Sequence, residues 1–299
     1  MAEFKSWIRA SRLPSQTYIA FPILLGQMAA LRLTGSIDWT AFALAQLFGL
    51  FDQLYIVYAN DWADVDTDRE NSTYNIFSGG SRVIVEGLLT RRALGIAAIV
   101  MATLALATGA GLWMITGTVT PLALVAVGLV LLHGYSYPPL RMSYRGGGET
   151  LQMIGVGGVL PLVGYTAQTG SLSGFPWMLL AVTLPISLGC AIATGLPDAP
   201  SDRLSRKRTV SVLLGTTRAQ VLALTLFTAS IALWLWLEPI GTGSSVRIAS
   251  IIAPALFLLF AGARLGAMPG TAAITKAVTS YVASNVFFFL ALSVALAVG

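Results

Sequence analysis

The sequence predicts an all-α integral-membrane bundle of nine transmembrane helices with its N-terminus in the cytoplasm. Three observations carry this. Of 299 residues, 56% are hydrophobic and only 10% charged, against about 25% charged in soluble domains. Apolar stretches long enough, or nearly so, to cross a ~30 Å hydrocarbon core recur nine times. Basic residues then fall almost entirely on one side of that count.

The first span, 14–31, is preceded by Lys5, Arg9 and Arg12. This basic start is not expected to be a cleavable signal, because the apolar run continues as a full span with no small-residue cleavage site. The second span, 39–59, leads into an acidic segment, and Arg69, Arg82, Arg91 and Arg92 follow before the third, 93–114. Thr116-Gly117-Thr118 is a short uncharged turn into 119–136, after which come Arg141 and Arg145. Spans 150–168 and 176–196 are joined by Thr169-Gly170-Ser171-Leu172-Ser173, and the sixth is followed by Arg203, Arg206, Lys207, Arg208 and Arg218. Spans 219–237, 248–263 and 273–298 complete the set, with Arg264 and Lys276 in the last connection. Sixteen of the 18 basic residues therefore face one side, leaving Arg32 and Arg247 on the other. That asymmetry fixes the orientation, and a miscount by one span would scramble it.

The net charge of +5 sits at helix ends, which points to a lipid bilayer and excludes nucleic acid as partner. One cysteine, Cys190, lies in an apolar run, and one histidine, His133, stands alone; disulfides and multi-Cys or multi-His metal sites are excluded. No linker interrupts the chain, so residues 1–299 are expected to form a single membrane-embedded domain. A faint parallel repeat, spans one to four against five to eight, fits the placing of its acidic loops.

Those loops carry the chemistry. Residues 60–68 read Asn60-Asp61-Trp62-Ala63-Asp64-Val65-Asp66-Thr67-Asp68. On a continuous helix Asp61, Asp64 and Asp68 share one face within about 60°, while Asp66 points elsewhere. Carboxylates so placed repel one another unless a cation lies between them. All-oxygen donors suit Mg²⁺, which takes one or two carboxylates and fills its other positions with phosphate oxygens and water. A second cluster, Asp198-Ala199-Pro200-Ser201-Asp202, repeats the four-residue spacing at the end of the sixth span. Pro197 and Pro200 leave its helicity open. The basic run Arg203, Arg206, Lys207 and Arg208 beside it supplies donors for free phosphate oxygens. Either cluster alone reads as a solvated loop; two at equivalent span ends read as a diphosphate site held through magnesium.

Asn60-Asp61-x-x-Asp64-x-x-x-Asp68, with Asp198-x-x-x-Asp202 far downstream in a nine-span chain, resembles the UbiA superfamily of intramembrane prenyltransferases. The similarity covers essentially the whole chain and includes Ser78-Gly79-Gly80-Ser81-Arg82, Tyr135-Ser136-Tyr137-Pro138-Pro139-Leu140-Arg141 and the stretch from Asp202 to Gly215. The resemblance implies that Asp61, Asp64, Asp68, Asp198 and Asp202 are catalytic and hold two Mg²⁺ on an isoprenoid diphosphate. It also implies a place for Asn60 in the site and an apolar tunnel for the prenyl tail. Arg12, Arg82 and Lys207 match basic positions of the family. Two departures stand out: Arg141 occupies the place of a frequent lysine, which alters point-charge geometry, and Pro197 stands where an arginine often precedes the second motif.

The implied reaction is magnesium-dependent transfer of a prenyl group from its diphosphate to an aromatic acceptor. The flanking phrases lean toward the dihydroxynaphthoate branch that makes menaquinone-type quinones. Tyr135, Tyr137 and Tyr144 either shield the allylic cation or form an aromatic belt. Asp52, eight and nine residues before Asn60 and Asp61, is read as roughly on their face, lining the acceptor pocket or making a helix–helix bond; intramembrane carboxylates are costly. Glu149 is expected to cap the start of the fifth span or to help deprotonate the acceptor, Asn285 to bond between helices, and His133 and Cys190 to pack. The glycines at 146–148 and at Gly155-Val156-Gly157-Gly158 suit close helix packing rather than a phosphate loop. The alternatives are a terpene cyclase of the same superfamily, transfer of another diphosphate-activated group such as phosphoribosyl, and a secondary transporter, whose acids belong nearer the midplane. Short loops and no targeting peptide suit a bacterial inner membrane, with the site facing the cytoplasm.

Overall fold

The computed structural model describes residues 2–238 and 241–298. Met1 and Gly299, the ends of the expected domain, lie outside the described residues. Its helices are α1 (Ala2–Ser11), α2 (Thr17–Thr34), α3 (Trp39–Ala63), α4 (Val65–Glu70), α5 (Arg91–Thr116), α6 (Thr120–Ser136), α7 (Met142–Arg145), α8 (Gly148–Ile154), α9 (Leu160–Thr169), α10 (Met178–Gly195), α11 (Ala199–Leu204), α12 (Val210–Leu214), α13 (Thr216–Leu237), α14 (Ser244–Gly262) and α15 (Ala272–Val298). A wide turn at Gly155–Val159 joins α8 to α9. Among the described residues there is no β-strand, only an isolated bridge between Asn75 and Ser78.

Eight helical stretches among the described residues are long and apolar enough to cross a membrane, with α1–α2 (Glu3–Thr34) and α8–α9 (Gly148–Thr169) each counted as one. The stretch expected as the fourth span, α6, is a shorter apolar helix of 17 residues. The all-helical membrane fold is as expected, but the count of nine spans is not confirmed, since α6 falls short in length. Helix ends follow local chemistry. Asp38 caps α3 by accepting from Thr40 N at 2.8 Å and Ala41 N at 3.0 Å, and Thr90 caps α5 through Ala93 N at 3.1 Å. Such caps satisfy orphan N–H groups that a membrane end could not leave bare.

The spans close into a ring. α2 touches α3, α3 packs along α5, α5 on α6, and α6 on α8–α9, which lies against α10; α13, α14 and α15 follow, and α15 returns to α2. A second line of contact joins α2 to α9. There a Cβ on Gly164 would overlap the Ile23 carbonyl oxygen and stand 3.1 Å from Gln27 N, so only glycine permits this approach. One apolar core lies among α2, α10, α13 and α15, built on Phe227, Trp234, Phe288 and Phe289, and another between α3, α5, α6 and α9. Large apolar side chains such as Ile99, Val130 and Leu259 are exposed on the outside, as lipid contact requires. The protein is an integral membrane protein.

Candidate active site

The first motif is not one helix. α3 ends just after Asn60 and Asp61, with the Asp64 N–H bonded to the Asn60 carbonyl at 2.9 Å, and the chain restarts as α4. The expected single carboxylate face is thus divided. Asp61 lies on the last turn of a long helix, Asp64 at the break, and Asp68 on the short helix beyond; Asp66 points outward to Arg69 at 3.8 Å. The second motif is a helical turn after all. Asp198 starts α11, the Asp202 N–H reaches its carbonyl at 2.8 Å, and Pro200 occupies an early position whose N–H would be unsatisfied in any helix.

The loop between α4 and α5 folds back and supplies donors to both motifs. Ser81 bonds Asp61 through its hydroxyl and through its N–H at 3.2 Å, and Arg12 pairs with the same carboxylate. Asp198 accepts from the Ser78 hydroxyl, from Asn71 Nδ2 at 3.1 Å and from Gly79 N at 3.2 Å. Gly80 has φ +66°, and a Cβ there would overlap Asp68 Oδ2 and stand 2.9 Å from Asp61 Oδ1. The backbone is therefore drawn directly over two carboxylates, an approach and a left-handed turn that glycine allows.

Lys207 joins the two halves. Its Nζ lies 3.2 Å from Asp64 Oδ2 and 3.4 Å from Asp202 Oδ1. Burial lowers the Lys207 pKa, but Asp64 and Asp202 outweigh it and hold the ammonium well above the ordinary lysine range. Tyr144 lies with its ring 4.6 Å from Lys207 Nζ and 3.6 Å from the Arg141 guanidinium, and its hydroxyl donates to Asp64 at 2.8 Å. Arg208 N–H donates to the Tyr144 carbonyl at 3.0 Å, and Val210 N–H to Glu149 Oε1 at 2.7 Å. Two loops from distant parts of the chain are thus laced together over the carboxylates.

Charge at the site is unevenly matched. Among the described residues no hydrogen bond or ion pair reaches the Asp68 carboxylate; burial, then Asp64 and Asp61, push it up to about 7. Burial also pushes Asp202 up to about 6 against the pull of Lys207. Asp198 is raised by burial, which the Ser78 bond and Lys207 only partly offset. Such buried, partly uncompensated carboxylates mark a place for added positive charge.

The remaining expected residues divide. Tyr135 lies within electrostatic reach of Lys207, Asp64 and Glu149. Asn60 accepts from the Ser136 hydroxyl at 3.0 Å. Arg82 does not reach a carboxylate of either motif; it donates to the Asp68 carbonyl at 2.8 Å and covers the Tyr74 ring at 4.5 Å. Tyr137 packs on Trp62 and His133, with ring centroids 5.5 and 5.2 Å away, and His133 is exposed rather than packed inside. Asp52 does not share the face of Asp61: on continuous α3 it stands about half a revolution from Asp61 and about 80° from Asn60. It is buried with Oδ1 unpartnered. Glu149 caps α12 rather than the helix that carries it. Asn285 is buried with Oδ1 unpartnered, so the expected interhelical bond is not made by that oxygen. Arg203, Arg206 and Arg208 are exposed. No three acidic, His or Cys side chains among the described residues come close enough together to hold one ion; Lys207 stands between Asp64 and Asp202, and Arg12 pairs with Asp61. Ser78, Ser81, Asn71, Thr67 and Thr209 were not singled out from sequence. For the first two the signal was present in Ser78-Gly79-Gly80-Ser81, of which only the following arginine was assigned a role.

With this geometry in hand, comparison with known proteins is informative. The profile of the UbiA prenyltransferase family matches residues 19–292. The 2-carboxy-1,4-naphthoquinone phytyltransferase of Synechocystis is 28% identical over 230 residues, covering 74% of this chain and 70% of that protein. The 1,4-dihydroxy-2-naphthoate octaprenyltransferase of Mycobacterium tuberculosis is 30% identical over 233 residues, 74% of each chain. In fold, a UbiA homolog from Archaeoglobus fulgidus bound to DMAPP and Mg²⁺ aligns with a TM-score of 0.74 at 16% identity, covering 98% of this chain and 100% of that one. The chain belongs to the UbiA prenyltransferase family.

Proposed function

We propose that the protein transfers a prenyl group from an isoprenoid diphosphate to an aromatic acceptor inside the membrane, with magnesium as cofactor. The observation that carries this is the convergence of both acidic motifs on Lys207, which lies 3.2 Å from Asp64 and 3.4 Å from Asp202. The relatives named for naphthoate and naphthoquinone prenylation favour a bicyclic aromatic acceptor of that class.

The residues fit magnesium. The donors are all carboxylate oxygens, Asp68 carries charge without a partner, and Gly80 leaves room where any Cβ would fill the cradle. Asp61, Asp64 and Asp68 on one side, with Asp198 and Asp202 on the other, would hold it, each side supplying only the one or two carboxylates that a magnesium ion takes from protein, and two clusters suit two ions. When bound, magnesium neutralises the charge that gathers on the departing diphosphate. The chain's own contribution is positioning and exclusion. Lys207 and Arg12 present cations to diphosphate oxygens; Ser81 fixes the Asp61 carboxylate that pairs with Arg12, and Ser78 fixes Asp198. Tyr135 offers a ring near the reacting carbon, Tyr144 steadies Arg141 and Lys207 with its ring, and Arg82, Arg141, Tyr137 and Asn60 hold the surrounding loops. The apolar interior keeps water from an allylic cation. The allylic C–O bond breaks with its electron pair leaving on diphosphate, the acceptor ring carbon forms the new C–C bond, and the ring then loses a proton. We place the site at the cytoplasmic face of a bacterial inner membrane, and treat residues 1–299 as one catalytic unit, because the basic residues gather at the motif end.

The test is diphosphate release by the purified protein with magnesium and geranylgeranyl diphosphate, with and without dihydroxynaphthoate or hydroxybenzoate. Release that depends on the aromatic, with a product mass of acceptor plus prenyl group, supports the reading. Release without acceptor, giving a cyclic hydrocarbon or alcohol, replaces it with a cyclase. Asp61→Ala and Asp198→Ala are each expected to abolish release; intact turnover in both removes the assigned site.

A further inference from the structure

The N-terminal helix takes no direct part in this chemistry, yet it has two well-separated faces. Ser6 and Ala10 are buried, and Trp7 sets its ring edge against Tyr58 with centroids 5.7 Å apart. On the other side Phe4 is 69% and Ile8 42% exposed, one turn apart, with exposed Lys5 beside them. Arg12 adopts a left-handed conformation, φ 43°, which ends α1 and turns the chain before α2. Arg12 meets Asp61 while Trp7, five residues earlier, meets Tyr58, about one turn before Asp61 on α3, so α1 folds back beside the end of α3 rather than running on past it and stays at the motif end, where the basic residues gather.

We propose that α1 lies in the plane of the membrane surface, with Phe4 and Ile8 inserted at the headgroup–acyl boundary and Lys5 against anionic lipid headgroups. An apolar strip flanked by a basic side chain is the pattern of an interfacial helix, and juxtamembrane cations are drawn to anionic leaflets. Lipid fits this face better than a protein partner does. Two apolar side chains make a patch far smaller than the roughly 800 Å² per partner of a stable protein interface, and the spans below already stand in lipid.

The placement has a consequence for the site. Arg9 holds Glu86 through two bonds, 2.6 and 2.7 Å, and Glu86 lies 3.7 Å from Arg82. This is the loop whose Ser81 binds Asp61, and Arg12 binds the same carboxylate from the end of α1. Lipid seating of α1 therefore positions both donors to Asp61.

The test uses the full chain with Cys190, its single cysteine, replaced by serine. Phe4→Cys, Ile8→Cys and, as an exposed control, Glu3→Cys are spin-labelled and reconstituted in phosphatidylcholine vesicles with or without phosphatidylglycerol. Labels at 4 and 8 are expected to favour oxygen over an aqueous nickel chelate, with the ratio shifted further by phosphatidylglycerol, while the label at 3 favours the chelate. Equal aqueous access at 3, 4 and 8 overturns the proposal, and shielding of 4 and 8 from both reagents assigns the face to protein instead. In the second arm, phosphatidylglycerol is expected to raise the rate of diphosphate release by wild type, and Phe4→Ser/Ile8→Ser is expected to lose that gain while keeping its rate in detergent. Retention of the whole gain removes the link to the site. The label readout stands whether or not an aromatic acceptor is used.

Discussion

Burial alone would lower the Lys207 pKa, and Asp64 with Asp202 reverse that. Removing the cation leaves two carboxylates facing each other in a partly dry site. Lys207→Ala is expected to lower kcat/KM for the diphosphate by on the order of 10²-fold, as loss of one preorganised electrostatic group does. Lys207→Arg is expected to restore only part of it, since a planar fork does not replace a point charge. Steady-state kinetics at fixed magnesium decide this. Asp68 gives a pH prediction. Its pKa rises from 3.8 to about 7 on folding, so between those values the folded protein keeps a proton that the unfolded chain has released. The stability contributed by this group is therefore present at low pH and lost as pH rises toward 7. Asp202, raised from 3.8 to about 6, adds in the same sense. Thermal unfolding of the metal-free protein should show this decline, and Asp68→Asn should flatten it. Magnesium needs the ionised carboxylates, so its stabilising effect should grow over the same interval. An unchanged slope in Asp68→Asn would mean the carboxylate is not buried and uncompensated as described. The acids were legible in the sequence because their spacing has no packing use. Ser78 and Ser81 were not legible as ligands of Asp198 and Asp61, since a serine in a glycine-rich loop carries no pattern that says which distant carboxylate it will meet.

The loops laced over the site hold through few bonds, and Glu149 makes one of the main ones, from the start of α8 to the N–H of Val210 on α12. The carboxylate fixes the end of the segment that carries Lys207 and Thr209. Glu149→Ala is expected to lower kcat by about tenfold, a loss in keeping with a misplaced catalytic neighbour, while Glu149→Gln keeps an acceptor oxygen and most of the rate. Equal losses in both would assign Glu149 a role through charge rather than placement. The contact of α2 with α9 makes a packing prediction. A side chain at Gly164 would meet the backbone of Ile23, so Gly164→Val must force these helices apart. Overpacking of this kind typically costs about 1–3 kcal/mol, and more where backbone is the obstacle, read as a fall in thermal stability in detergent. Span positions were legible because apolar length in a membrane has few other meanings. The break at Asp64 was not: residues 60–68 contain neither glycine nor proline, and tertiary pairing of Asp64 with Lys207 and Tyr144 sets the path there.

Across the whole molecule, the motifs come from opposite halves of the ring and meet only through folding. Asp61, Asp64 and Asp68 belong to α3 and α4, Asp198 and Asp202 to the end of α10 and to α11, yet Asn71 spans to Asp198 at 3.1 Å and Lys207 to Asp64 at 3.2 Å. The repeat of acidic loops four spans apart announced that both would face the same side, but not that one lysine would stand between them, because closure of a ring is a property of packing and leaves no local pattern. This architecture makes the ligand a clamp. A diphosphate held with magnesium between the halves, as proposed, would bind only when both are in place and would so stabilise the folded bundle over any state in which they have parted. With a non-reacting isoprenoid thiolodiphosphate and magnesium at about 100 times Kd, the expected stabilisation is about 2.7 kcal/mol. Asp198→Ala and Asp61→Ala should each remove most of that shift in thermal unfolding, although the two residues lie on different halves. A variant of one motif that kept the full shift would show the ligand resting on the other motif alone, and the clamp would then not exist.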